Sequence, residues 1–122
     1  MSVTANLSLS FSKSGVSELF QSTQTATMAV AGYRVQTPTL GTAASAVSTA
    51  NLSAVGYAYL RSLVATTQST CTITFGRLVS GTLHPVVSLR PSESAVMRLA
   101  AGDYGVQAAA EGYRAQIVIF EE

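Results

Sequence analysis

Val3-Thr4-Ala5-Asn6-Leu7-Ser8-Leu9-Ser10-Phe11 alternates apolar and polar residues without a break, the period-2 pattern of a strand that covers one face and wets the other. The same period returns down the chain. Cys71, Ile73 and Phe75 alternate with threonines, Ala95, Met97 and Leu99 flank Val96 and Arg98, and Tyr113, Ala115, Ile117 and Ile119 alternate with Arg114, Gln116, Val118 and Phe120. Thr25–Ala31 running on through Tyr33–Thr37, Val55–Val64, Leu83–Leu89 and Tyr104–Ala108 read as further strands. Val55, Tyr57 and Tyr59 oppose Gly56, Ala58 and Leu60, so both faces of that strand are largely apolar, as in the centre of a sheet. Turn residues separate the strands at intervals of roughly 8 to 12 residues, the spacing of a sandwich or barrel.

The expectation is an all-β, single antiparallel β-sandwich of about eight strands, jelly-roll-like, occupying residues 1–122 as one domain. Its core draws on Leu7, Leu9, Phe11, Ile73, Phe75, Val87, Leu89, Leu99, Ile117 and Ile119. Two segments are open. Ser14–Phe20 reads either as one helical turn capped by Ser14 or as an irregular loop, and Ala43–Asn51 as an alanine-rich helix or an extended edge strand.

Charge limits the function classes. Asp, Glu, Lys and Arg make up 11% of the 122 residues, against about 25% in an ordinary soluble domain. Lys13 is the lone lysine, the arginines stand singly, and the net charge is +1. Counterion release therefore has little to act through, and neither nucleic acid nor a membrane surface is an expected partner. No apolar run approaches the ~20 residues of a membrane span. The first residues carry no basic start or apolar core of a secretory signal, and the single cysteine, Cys71, excludes an intramolecular disulfide, so synthesis in a reducing cytoplasm is expected.

The inventory for chemistry is thin. His84 is the only histidine and Asp103 the only aspartate, and no Gly-x-Ser-x-Gly elbow accompanies them. His84 reads as structural and Cys71 as a small buried hydrophobe, although a thiol activated by His84 would be the enzymatic alternative. Glu121 and Glu122 point to opposite faces of a strand, and pairing Glu93 with Glu111 has no support in spacing. One His, one Cys and one Asp nearly exhaust the zinc ligands. No catalytic residue, metal or cofactor is expected. Tyr33, Tyr57, Tyr59, Tyr104 and Tyr113 could stack on a sugar, as in a carbohydrate-binding module, or form a core or interface strip with bonded hydroxyls.

Asn51-Leu52-Ser53-Ala54-Val55-Gly56-Tyr57-Ala58-Tyr59-Leu60-Arg61-Ser62-Leu63, followed by Thr72–Gly76, Pro85–Glu93 and Met97–Ala100, resembles small virion proteins of tailed bacteriophages. Ser92 stands where that pattern commonly has glycine. The resemblance implies a β-sandwich structural component made in the host cytoplasm and built into the virion. A capsid decoration, or cement, protein bound to the major capsid protein is the first expectation, as a homo-oligomer with three copies as the family-based guess. A tail, connector or fibre-associated protein is the second.

Overall fold

Alternating stretches become strands throughout the computed structural model, which describes residues 2–27 and 32–121. In chain order they are β1 (Ser2–Lys13), β2 (Val16–Thr27), β3 (Tyr33–Gln36), β4 (Thr39–Leu40), β5 (Ser45–Ala46), β6 (Val55–Ser62), β7 (Ile73–Val79), β8 (Thr82–Leu89), β9 (Ser94–Arg98), β10 (Tyr104–Ala108) and β11 (Tyr113–Glu121). All pairings are antiparallel. No helix occurs among the described residues.

Two sheets form the sandwich. One has the order β5-β10-β7-β8 and the other β3-β11-β6-β9, with β4 added beside β11. Every connection from β5 onward crosses to the opposite sheet except the β7–β8 hairpin. Between the sheets, Ala58, Leu60, Ala115, Ile117 and Ile119 meet Ile73, Phe75, Leu89, Val106 and Ala108, all buried. Each comes from every second position of its strand, so the period decides which side chains leave water. The Phe75 and Tyr104 rings stack at 5.4 Å and 8°.

The eleven strands among the described residues exceed the expected number because β4 and β5 are short additions and the 25–37 region divides between β2 and β3. Residues 28–31 of the strand read there lie outside the described residues. Ala43–Asn51 contributes only β5, an edge strand and not a helix. Thr42, Val47 and Thr49 favour extended backbone there, and Val47 is tied by its N–H to the Tyr104 carbonyl at 2.8 Å.

Ser14–Phe20 is neither helical turn nor loop. Ser14 and Gly15 have φ of 51° and 83°, the pair of left-handed residues that a tight type I′ turn demands. β1 and β2 therefore pair over their full length, from Ser2↔Thr27 to Lys13↔Val16, as a separate two-stranded sheet. Ser80 and Gly81, with φ of 51° and 79°, join β7 to β8 in the same way.

This hairpin is an arm outside the core, which corrects the core expected from sequence. Leu9 is 63% exposed and Leu7 only half-buried. The side chain of Phe11 lies outside the described ones. Val87 is half-buried and packs against the core from the side, while the other six expected core residues are buried. The alternation of β1 is real, but its apolar face has no second sheet of this chain closed over it.

Candidate functional site

The residues tested for chemistry are dispersed. His84 is exposed on β8, an edge strand, opposite Arg77. Cys71 is buried just ahead of β7, its N–H held by the Gln68 carbonyl at 2.9 Å. Asp103 sits exposed before β10, where its carbonyl accepts the Leu78 N–H at 3.0 Å. A buried thiol and a histidine on a solvent-facing edge are poorly placed to act on one substrate. Among the described residues no group of three or more His, Cys, Asp or Glu is gathered as metal ligands would be.

The carboxylates clamp loops. Glu93 accepts the Arg90 N–H at 2.7 Å across a turn. Glu111 accepts the Thr42 N–H at 3.0 Å and the Thr42 hydroxyl at 3.1 Å. Glu121, buried at the end of β11, accepts the Ser53 N–H at 2.6 Å and the Ser53 hydroxyl. Those two donors hold its carboxyl below the usual 4.5, with burial opposing them. Gly32 permits the approach, since a Cβ there would lie 2.0 Å from the Glu121 carboxylate. Ser53 and Glu121 are 68 positions apart, and no spacing rule in the sequence links them.

The tyrosines split between core and surface. Tyr104 is buried, donates its hydroxyl to the Ala100 carbonyl at 2.6 Å, and lies under the Arg77 guanidinium at 5.4 Å. Tyr113 bonds Gln68 at 3.1 Å. Tyr57 and Tyr59 emerge half-buried on the outer face of the β3-β11-β6-β9 sheet, and Tyr33 is 64% exposed there beside Phe120. Across the outer face run Val35, Val118, Tyr59 and Val96 in register. Arg61, Arg98 and Arg114 share that face. The five rings do not surround one hollow, and the hydroxyls of Tyr57, Tyr59, Tyr104 and Tyr113 lie within hydrogen-bond reach of Gln24, Ser94, the Ala100 carbonyl and Gln68.

The arm reaches over the same face. Tyr57 donates its hydroxyl to Gln24 of β2 at 2.9 Å. Leu7, Leu9, Phe20 and Ser22 stand over Ser94, Ala95 and Val96 of β9, enclosing a cleft of about 400 Å³. Register sorts the ribbon into two faces: Leu7, Leu9, Phe20 and Val16 on one, with serine, threonine, asparagine and Gln21 filling the other apart from Leu19. Leu9, Val16, Leu19 and Phe20 are 63%, 54%, 59% and 60% exposed. Sequence reading missed this surface because Ser14-Gly15 was not taken as a turn signal, although a Ser-Gly pair between apolar runs is one.

Exposed apolar side chains thus gather on the arm, as Leu9, Val16, Leu19 and Phe20, and on the arginine-bearing sheet face, as Tyr33 and Val35. Compared with protein-family models, curated proteins and solved structures, the chain matches none.

Proposed function

We propose that this protein is a non-enzymatic structural component of a tailed-phage virion, a capsid decoration protein that binds the outside of the head and stabilises the shell. The observation that carries the reading is the arm: four large apolar side chains held more than half exposed on a ribbon that extends from the sandwich. Such a patch is a liability in a free monomer and an asset in an assembly that covers it. The 11% charge content fits the same picture, since surface covered by neighbours needs less charge to stay soluble.

Fold supports the reading by analogy. Counting the strands from β3 onward and omitting β4, the sheets run 1-8-3-6 and 2-7-4-5, which we read as a jelly roll, an architecture common to viral capsid and lectin domains. A sugar-binding role is less well served, because the tyrosines do not converge on one hollow.

Particles assembled without this protein test the proposal. They are expected to form but to lose resistance to heat or osmotic shock, and added protein restores it by binding fixed sites on the head. Density confined to the tail would move the protein to a tail or connector role, and a chain that never joins particles would refute the virion reading.

A further inference from the structure

A two-stranded ribbon alone is marginal in water unless something packs on a face. Strands of 12 residues, rising about 3.4 Å each, give an arm about 40 Å long. Among the described residues the arm meets the sandwich through the Tyr57–Gln24 bond and the walls of the cleft, which reach as far as Leu9 and Phe20. Ser10 and Ser12–Leu19 are exposed.

We propose that a second copy of this chain occupies the cleft between the arm and β9, inserting the tip of its own arm, and that the exchange is reciprocal. The inference rests on the reading of the protein as an assembly component and names the first partner: itself.

Size, polarity, charge and area all favour this occupant. An apolar cavity of about 150 Å³ holds one benzene, so about 400 Å³ has room for two or three side chains. The walls offer the side chains of Leu7, Leu9, Phe20 and Val96, while Ala95, in register with Leu60, packs toward the core. The arriving tip offers Val16 and Leu19, one on each face of the ribbon, which gives Leu19 a use on an otherwise polar face. The tip also carries Lys13 and Glu18, and the end of the cleft carries exposed Glu93, next to Ser94, and exposed Arg61, opposite Ser94 in register. Lys13 can meet Glu93 and Glu18 can meet Arg61, so opposite charges face each other at both positions.

Leu9, Val16, Leu19 and Phe20 are 63%, 54%, 59% and 60% exposed. At about 150–200 Å² for a large side chain they offer about 400 Å² per copy. With the flanking polar stems a reciprocal exchange approaches the ~1,200 Å² at which stable interfaces begin. It also covers β9, the open edge of its sheet.

Three variants of the purified full chain, with single-cysteine controls, decide the matter. Val16→Cys combined with Val96→Cys, which faces the cleft from the outer side of β9, is expected to give a disulfide-linked dimer under mild oxidation, with neither single variant doing so. A link within one chain, or none, overturns the exchange. Leu9→Ser with Val16→Ser is expected to weaken self-association about 100-fold in light scattering, while the sandwich melts as before at high dilution, because both side chains are already exposed in one copy. A parent chain that stays monomeric up to about 100 µM, beyond the range of most specific interfaces, overturns the proposal. So does dissociation by Val35→Ser in place of the arm variant, which would assign the contact to the outer sheet face. No particle is needed, so failure here leaves the virion role standing, and a self-associating chain that never enters particles sinks that role alone.

Discussion

Phe75→Ala and Phe20→Ala remove the same atoms from two places the structure treats differently. Phe75 is 2% exposed, stacked on Tyr104 and paired across the sheet with Val106 and Val87. Truncation there loses the transfer energy of the ring and leaves a cavity between two rigid sheets, about 3–5 kcal/mol, of which the ring pair accounts for about 0.5–1.5 kcal/mol. Unfolding entropy of about 2.1 cal/mol/K per residue over 122 residues is about 0.26 kcal/mol/K. A loss of 4 kcal/mol thus lowers Tm by about 15 °C. Phe20 is 60% exposed on the arm, and its truncation costs under about 0.5 kcal/mol, or about 2 °C.

Urea and thermal denaturation followed by circular dichroism measure both, at a protein concentration low enough to keep the chain monomeric. The comparison is internal, since residue type and atoms removed are identical. A Phe75→Ala protein within about 1 kcal/mol of the parent would refute the core assignment. A Phe20→Ala protein as destabilised as Phe75→Ala would show that the arm is packed within one copy.

Two further substitutions probe the loops. Ser92 occupies the third position of the Arg90–Glu93 turn with φ of 64°, after Pro91, and the turn is closed by Glu93 N–H to the Arg90 carbonyl at 3.1 Å. Glycine suits that conformation, so Ser92→Gly relieves about 1–2 kcal/mol of left-handed strain, partly offset by added unfolded-state freedom, and should raise Tm by about 2–4 °C; a lower Tm counts against the turn. Because the folded carboxyl of Glu121 is held below its ordinary 4.5, the Ser53 clamp stabilises the protein fully above that pH and fades as pH falls through the folded value. Glu121→Gln is therefore expected to melt below the parent at pH 7, with the gap closing in acid, and a gap unchanged from pH 7 down to about 3 would remove the clamp from the account of stability.

Fold class was legible because period-2 alternation fixes which side chains share a face, and Ile73, Phe75, Leu89, Leu99, Ile117 and Ile119 are buried as the pattern requires. The loop clamps were not. Glu121 and Ser53, or Glu111 and Thr42, meet only because the strands crossing between sheets bring distant loops together, and pair spacing in the sequence carries no trace of that. The turn strain at Ser92 was half visible, because the resembling phage pattern commonly has glycine at that place, the residue a left-handed turn position favours.

Leu9 shows where pattern reading reaches its limit. Alternation reports that a face is apolar, and the usual next step assigns that face to the core of the same chain. Nothing in the physics requires this. Apolar area is removed from water equally well by a neighbouring molecule, and a strand of 12 residues is long for a domain whose sandwich strands run from 2 to 9 residues. A long, evenly alternating strand folded back by a two-residue turn makes a ribbon whose apolar face outreaches the body it is attached to. The strongest strand signal in this sequence thus belongs to the arm, whose apolar face we propose is covered by a second molecule, whereas the weaker, interrupted signals from Val55 onward supply most of the core.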